Sequence, residues 1–297
     1  MQKDGIIVGN GSNIYIVEDL KSNEIIKCTA RGKIKELGQS LAVGDYVEYE
    51  VISKEKKEGV INTVKDRNNY IKRPKIANLT QIILVVSMSQ PKPDFLMLDK
   101  QLAFAEFNNI KPIICLNKID LVTNEMVEKI EKKYTAIGYK VIKTNAVQKS
   151  GIVDLKNILY GNITAFSGNS GVGKSALIND IFENEITKSG IISKKNQRGK
   201  NTTTSTYLYK INENTYLADT PGFSTFDVSE IASENLYKHF VEFIKPSKNC
   251  QFVGCTHVKE ENCGIKDAVE KGNISKERYE NFCKIYLDLK EKESRKW

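Results

Sequence analysis

Long apolar stretches and internal repeats are both missing from this sequence, and it contains only two histidines. No apolar run approaches the roughly 18 residues that a membrane-spanning helix requires. The opening segment "MQKDGIIVGNGSN" has a single lysine and a short apolar run, which does not fit a secretory signal. We therefore expect a soluble, cytoplasmic protein that has no membrane partner.

The size of the chain bounds its organisation. With 297 residues and 40% hydrophobic residues, the chain suits two or three domains with ordinary cores. The net charge is +8 at pH 7 and the pI is about 8.9. This balance is compatible with a polyanionic partner, but many proteins share it, so charge alone identifies none.

Residues 1–66 contain short alternating apolar runs separated by polar turns. The runs are "GIIVGN", "SNIYIVED", "EIIKCTA" and "DYVEYEVI". Closely spaced short strands of this kind indicate a small β-barrel or sandwich. Length and strand count predict a five-stranded OB-type barrel, a fold that often binds oligonucleotides, although such a module can also bind nothing.

Residues 67–226 change to apolar runs that alternate with helical stretches. The runs "QIILVVS", "PIICLNK", "KVIKTNA" and "ITAFSGN" are separated by segments such as "FLMLDKQLAFAEFNN". Continuous apolar strands between helices predict a parallel sheet covered on both faces. Ligands of such sheets bind beyond the carboxyl ends of the strands.

The stretch "GNSGVGKS" at 168–175 matches the phosphate-binding pattern G-x-x-x-x-G-K-[ST]. Its glycines allow backbone N–H groups to surround phosphate oxygens, and the following helix adds its positive end. Lys174 is expected to reach the β- and γ-phosphates, and Ser175 to hold Mg²⁺. The alternative is a glycine-rich turn without function. The predicted nucleotide-binding residues are Gly168, Asn169, Ser170, Gly171, Val172, Gly173, Lys174, Ser175 and Ala176.

Two further stretches are expected to bind Mg²⁺ and the γ-phosphate. In "YLADTPG" (216–222), Asp219 can hold Mg²⁺ through a water and the Gly222 N–H can sense the γ-phosphate, unless the stretch is an ordinary turn. In "GKNTTTST" (199–206), Thr203 is expected to complete the magnesium coordination, with Thr202 and Thr204 as alternatives.

The stretch "LNKID" at 116–120 predicts guanine recognition. The Asp120 carboxylate can accept hydrogen bonds from N1–H and the amino group at C2 of guanine, and adenine offers neither donor. Asn117 is expected to tie the loop together, and the Lys118 stem to cover the ring face, with Ile119 between them. The stretch Asn145-Ala146 partly matches a loop whose backbone N–H contacts the guanine oxygen, and the same contact is expected here.

The base-reading stretch precedes the phosphate-binding stretch, which inverts the usual order. A parallel-sheet domain can be cyclically reordered when its original termini lie close together. We therefore predict a circularly permuted α/β P-loop GTPase domain. In this order the segment after "DTPG" leads directly into residues 227–297, so the nucleotide state could move that module through a short link.

Residues 227–297 predict a helical zinc-binding domain. Three cysteines and one histidine lie within fourteen residues, a closed tetrahedral set typical of one structural Zn²⁺. The alternative is unrelated cysteines beside a surface histidine. The predicted ligands are Cys250, Cys255, His257 and Cys263.

Taken together, the chain resembles the circularly permuted GTPases of small ribosomal subunit biogenesis, the RsgA/YjeQ family. The motifs that carry the resemblance are "LNKID", "GNSGVGKS", "TTT", "DTPGF" and "CQFVGCTHVKEENC". The resemblance implies a monomeric hydrolase that converts GTP to GDP and phosphate with Mg²⁺, binds the rRNA of the 30S subunit late in its maturation, and is stimulated by it.

One position departs from the family. Members usually carry a histidine just before the threonines, where this chain has Asn201. An amide can orient the attacking water but cannot shuttle a proton. With Lys174 and Thr203 as the other catalytic residues, we expect slow hydrolysis until a partner completes the site.

Two other functions fit parts of the sequence. A non-enzymatic RNA-binding module would bind nucleotide without partner-stimulated phosphate release. A P-loop kinase or ATPase with a chance "NKID" would prefer ATP, and the substitution Asp120→Asn would not change that preference.

Overall fold

The computed structural model describes residues 2–11, 13–32, 34, 40–145, 147–189, 206–219 and 228–295, and at 183–189 it describes the backbone alone. The chain forms two compact units. Unit 1 consists of Met1–Ile82, Ile152–Phe166 and Ser175–Phe223, and unit 2 of Ile83–Gly151, Ser167–Lys174 and Ser224–Trp297.

The regular elements of the described residues follow in chain order. The strands are β1 (Gln2–Asn10), β2 (Tyr15–Asp19), β3 (Ile25–Ala30), β4 (Tyr46–Ser53), β5 (Glu58–Val64), β6 (Tyr70–Lys72), β7 (Lys75–Ala77), β8 (Gln81–Ser87), β9 (Lys111–Asn117), β10 (Lys140–Thr144), β11 (Ile163–Ser167), β12 (Tyr207–Asn212) and β13 (Thr215–Asp219). The helices are α1 (Phe95–Phe107), α2 (Asn124–Thr135), α3 (Ile152–Asn157), α4 (Lys174–Ser189), α5 (Ile244–Ser247), α6 (Gly264–Glu270) and α7 (Lys276–Ser294).

The amino-terminal strands of unit 1 close into a barrel in the order β1-β2-β3-β5-β4-β1. All neighbours are antiparallel except β3 and β5, which run parallel. Buried side chains alternate along β4, where Val47 and Tyr49 face the core. This confirms the predicted five-stranded OB-type barrel. Its fifth strand, β5, was not among the apolar runs because "EGVINTV" carries few apolar residues.

The rest of unit 1 continues from the barrel. Strand β1 pairs with β12, β12 pairs with β13 in antiparallel fashion, and β13 runs parallel to β11. The short strands β6 and β7 form a separate hairpin. The sequence predicted a parallel sheet between 67 and 226, so the antiparallel strand β12 and the β6–β7 hairpin correct that expectation.

Unit 2 contains the strand order β10-β9-β8, of which β8 contributes residues 83–87. Strands β10 and β9 are parallel, with Thr144 opposite Asn117 at their carboxyl ends. Every residue of β8 is buried, as predicted from its continuous apolar run. Helix α1 follows β8 and α2 connects β9 to β10, which is the alternation that the sequence indicates.

The carboxyl-terminal part of unit 2 packs its helices around aromatic rings. Phe240, Phe243 and Phe282 meet with ring centroids 5.0 to 5.3 Å apart. Helix α7 docks on α1 through the buried Arg278, whose guanidinium binds the carboxylates of Asp99 and Glu242. No helix of the part of the chain that the structure describes is both long and apolar enough to cross a bilayer.

The three-domain division at 66/67 and 226/227 stays a prediction. The second boundary falls within 220–227, outside the described residues.

Candidate nucleotide site and metal centre

The loop between β11 and α4 has the backbone of a phosphate cradle. Gly168, Gly171 and Gly173 have φ of +141°, +79° and +105°, a region that residues with a Cβ rarely adopt. A Cβ at Gly168 would lie 2.3 Å from the Val85 carbonyl oxygen. Conformation therefore favours glycine at all three positions, and at Gly168 the lack of space for a Cβ requires it as well.

The Lys174 ammonium lies over this loop. Its Nζ donates to the carbonyl oxygen of Asn169 at 2.9 Å and also to that of Gly168. Burial lowers the pKa of the Lys174 ammonium. An anion on the loop would reverse this effect, since an opposite charge favours the protonated amine.

Asn117 joins the base-reading loop to the phosphate loop. Its Nδ2 donates to the Val172 carbonyl oxygen at 2.8 Å, and its Oδ1 accepts from Thr144 Oγ1 at 3.1 Å. The side chain is 1% exposed. A Cβ at Gly173 would lie 2.2 Å from Asn117 Nδ2. Two segments that are 55 residues apart in sequence are thus in direct contact, as the permuted order predicts.

Lys118 makes a second connection between these loops. It has a left-handed backbone conformation with φ of +61°, and its Nζ donates to the carbonyl oxygens of Gly171, at 2.8 Å, and Gln90. The next residues, Ile119–Leu121, form one turn of 3₁₀-helix. Asp120 lies in this turn and is exposed, three residues after Asn117 in the sequence.

In the Asn145-Ala146 stretch, Ala146 lies outside the described residues, so the contact from a backbone N–H to the guanine oxygen stays a prediction, and only the surroundings of Asn145 can be described. Its backbone N–H, at 3.2 Å from the Ser150 carbonyl oxygen, is already engaged. Its Oδ1 accepts from the N–H groups of Val147 and Gln148, while its buried Nδ2 has no hydrogen-bond partner in the described residues. Any contact from Asn145 to a base would therefore come from the side-chain amide.

Of the residues predicted to hold Mg²⁺, those that the structure describes belong to unit 1. Ser175 is exposed in the first turn of α4. Asp219 is exposed at the end of β13, one residue after the Ala165–Ala218 register pair with β11, so it emerges at the carboxyl edge of these parallel strands. The other predicted residues lie outside the described residues: Ala146, Asn201, Thr202, Thr203, Thr204 and Gly222.

Three supporting side chains were missed by the sequence interpretation. Thr144 orients the Asn117 amide, Gln101 donates to Ser167 Oγ at 3.2 Å, and Asp94 accepts from Asn169 Nδ2 at 3.3 Å while capping α1. Only Thr144 carried a signal, because it ends the strand that precedes the predicted Asn145-Ala146 loop.

The four predicted zinc ligands converge. Their ligand atoms all lie within 4.8 Å of one another. Cys250 Sγ and Cys263 Sγ are 3.9 Å apart, and His257 Nδ1 lies 3.5 and 3.4 Å from them. Zn–S bonds of about 2.3 Å in a tetrahedron separate sulfur ligands by about 3.8 Å. The donor set and its spacing therefore fit a tetrahedral zinc ion.

The surrounding structure orients the histidine of this cluster. His257 has φ of +63°, and its carbonyl oxygen accepts from Tyr279 Oη of α7 at 2.9 Å. The Tyr237 ring meets the imidazole edge to face at 4.6 Å. Burial lowers the pKa of His257, which favours the neutral imidazole that metals require. Burial raises the pKa of the Cys255 thiol to about 12, an effect that a bound dication would oppose.

Two family models match this chain. The family model described as RsgA GTPase matches residues 64–229, and that described as RsgA N-terminal domain matches residues 4–61. This chain belongs to the RsgA GTPase family. As a member of that family it is a GTP hydrolase with a circularly permuted P-loop domain.

Relatives in the RsgA family align over nearly the whole chain. The proteins named small ribosomal subunit biogenesis GTPase RsgA from Caldanaerobacter subterraneus subsp. tengcongensis and Clostridium beijerinckii are each 40% identical, covering 99% and 98% of this chain and 98% and 99% of their own. Among solved structures, YjeQ from Thermotoga maritima matches with a TM-score of 0.85 at 37% identity, covering 97% of this chain and 99% of its own. YloQ, described as a circularly permuted GTPase, matches with a TM-score of 0.82 at 32% identity, covering 98% and 96%.

Proposed function

We propose that this RsgA-family hydrolase acts in late maturation of the small (30S) ribosomal subunit in the cytoplasm. It binds the rRNA of the subunit, and GTP hydrolysis is stimulated by the subunit. The observation that carries the proposal is the Asn117–Val172 contact, which places the base-reading and phosphate-binding stretches side by side. The relatives that match over nearly their whole length are named for small ribosomal subunit biogenesis.

In this proposal the nucleotide is held from two sides. Asp120 accepts from the N1–H and the amino group of guanine, and Asn117 offers the amide proton that it does not use on Val172. Asn145 and Ala146 face the guanine oxygen, and the Lys118 stem covers the ring. The loop from Gly168 to Ala176 surrounds the phosphates, with Lys174 on the β- and γ-phosphates. Gly222 senses the γ-phosphate.

Magnesium would be held by Ser175, Thr203 and, through a water, Asp219, and when bound it supplies charge neutralisation of the phosphates. Lys174 and Thr203 stabilise the transferred phosphoryl group, and Asn201 orients the attacking water. Because an amide cannot accept the proton of that water, hydrolysis by the isolated protein is slow. Contact with the 30S subunit completes the site.

Zinc has a structural role in the proposal. Cys250, Cys255, His257 and Cys263 would supply four ligands to one zinc per chain, which would leave no position for a reacting water. The bound metal would stabilise the loop 250–263 next to α7. The barrel and this zinc module bind rRNA. The protein acts as a monomer.

Phosphate release with GTP and with ATP, each with and without 30S subunits, tests the proposal. We expect release from GTP only, slow for the isolated protein and accelerated by 30S subunits. A preference for ATP would overturn the guanine assignment. Equal turnover with and without 30S subunits would contradict the ribosomal role, and nucleotide binding without stimulated release would indicate a non-enzymatic RNA-binding module.

A further inference from the structure

The segment that follows the barrel is rich in positive charge. Residues 65–77 contain one carboxylate, Asp66, and five basic side chains, which are Lys65, Arg67, Lys72, Arg73 and Lys75. Three of the five lie on the hairpin Tyr70–Ala77, formed by β6, β7 and the turn between them. We call the hairpin Tyr70–Ala77 the basic hairpin.

The basic side chains before the hairpin are neutralised, whereas two at its tip are not. Lys65 Nζ lies 2.6 Å from Asp4 Oδ1, and Arg67 forms a fork on Asp45 at 2.6 and 2.8 Å. Arg73 and Lys75 are both exposed, and neither has a hydrogen-bond or ion-pair partner in the described part of the chain. The fold therefore leaves two cations available on this hairpin, separated in sequence by Pro74.

Strand pairing concentrates this charge further. Lys72 lies directly opposite Lys75 across the hairpin, and Arg73-Pro74 is the turn between them. Like charges in directly opposite positions destabilise a strand pair. The side chains of Lys72, Arg73 and Lys75 are all exposed. An anion bound to Arg73 and Lys75 would offset part of the repulsion between like charges.

The base of the basic hairpin is rigidly anchored. Ile71 and Ile76 are buried, and the Ala77 N–H donates to the Val43 carbonyl oxygen at 2.8 Å. Asn78 Nδ2 donates to the Gly44 carbonyl oxygen at 2.9 Å, and its Oδ1 accepts from the Asn68 N–H at 2.9 Å. The cations thus project from a preorganised support, which reduces the entropy that binding must overcome.

We propose that the basic hairpin binds the phosphate backbone of small-subunit rRNA through Arg73 and Lys75. The inference rests on the proposed ribosomal function and adds a site outside the nucleotide site, the barrel strands and the zinc module. Phosphate contacts require accessible cations and fix the orientation of a protein on nucleic acid. Protein interfaces need an apolar core instead, and the hairpin exposes no large apolar side chain.

The test compares binding of the full chain to 30S subunits at several salt concentrations, using fluorescence anisotropy with a non-hydrolysable GTP analogue. The variant is Arg73→Gln/Lys75→Gln. The control, Lys129→Gln/Lys140→Gln, removes the same charge from exposed lysines around helix α2. Thermal unfolding checks that both variants are folded, which we expect because all four side chains are exposed.

We expect the hairpin variant to bind 30S subunits about tenfold or more weakly, and the slope of log K against log salt to fall by about 1.4 to 1.8, while the control resembles the wild type. Equal losses in both variants, or none in either, would overturn the hairpin site while leaving the ribosomal function intact. Wild type that does not bind 30S subunits would refute that function itself. A loss on 30S subunits that disappears with protein-free small-subunit rRNA would assign the hairpin to a protein partner and overturn the RNA proposal.

Discussion

At the scale of single residues, Asp120 decides which base the proposed site accepts. Substitution by asparagine keeps the size but replaces a two-bond acceptor with an amide that also donates. We expect Asp120→Asn to weaken GTP binding about a hundredfold or more, because donors of guanine lose their charged partner. Xanthine has an oxygen in place of the amino group at C2, so xanthosine triphosphate binding should improve. Equilibrium titration with both nucleotides measures this.

The matched control for this prediction is Asp154→Asn in the first turn of α3, another exposed aspartate. It should leave both affinities unchanged. If Asp120→Asn kept the guanine preference of the wild type, Asp120 would not be the base-reading residue.

At the scale of structural elements, the phosphate loop depends on space as well as conformation. Gly173 and Gly138 have similar φ, +105° and +99°, but a Cβ would meet Asn117 Nδ2 at 2.2 Å in the first case and nothing within 4 Å in the second. We expect Gly173→Ala to abolish tight nucleotide binding by displacing Asn117. Gly138→Ala should cost only about 1 kcal/mol of stability and leave binding intact. Both variants carry backbone strain, but only Gly173→Ala also collides with Asn117, so nucleotide titration and thermal unfolding of the two variants separate these effects. If both variants bound nucleotide with similar affinity, the Asn117 contact would be dispensable.

The docking of α7 on α1 gives a second prediction for elements. Arg278 is fully buried between Asp99 and Glu242, and burial raises the pKa of Asp99. Removing the cation in Arg278→Met leaves two buried carboxylates without a cationic partner, so we expect a loss of about 3–5 kcal/mol in the free energy of unfolding.

This loss should depend on pH. A carboxyl whose pKa is higher in the folded than in the unfolded protein stabilises the fold while it is protonated. This contribution of Asp99 to the free energy of unfolding decreases as the pH rises from about 4 toward the raised pKa. Loss of the Arg278 cation raises the pKa of Asp99 further and therefore strengthens this dependence. The Arg278→Met protein should therefore be relatively more stable in acid, as denaturant unfolding at several pH values would reveal. Arg295→Met removes an exposed i,i+4 pair with Glu291 and should change little. Equal effects of both substitutions would contradict a buried network.

At the scale of the whole molecule, we expect one zinc per chain, because one closed ligand set is present in the described residues. Cys263→Ala should lower the zinc content sharply and reduce the thermal unfolding temperature by several degrees, since metal binding contributes to folding free energy. Elemental analysis with calorimetry tests this. Cys283→Ala, a half-buried cysteine outside the cluster, is the control and should retain its zinc. Full zinc content in Cys263→Ala would exclude this cluster as the site.

The local features of this fold were largely predictable. Apolar runs identified β8 to β11, and glycine spacing identified the loop 168–175. Strand burial and unusual backbone conformation each restrict which residue types can occupy consecutive positions, so both are visible in the local sequence. The ligand spacing of Cys250 to Cys263 marked the metal cluster for the same reason. Strand β5 was missed because "EGVINTV" carries few apolar residues, and the β6–β7 hairpin was missed because its strands have only three residues each.

The sequence by itself determined which stretches can bind phosphate, guanine and zinc, and the order of these stretches along the chain. Tertiary structure decided their neighbours. The Asn117–Val172 bond, the Thr144–Asn117 bond and the Arg278–Asp99 pair join residues that are 55, 27 and 179 positions apart. Such pairings depend on how strands and helices pack together, and side-chain hydrogen bonds leave no periodic pattern along the chain.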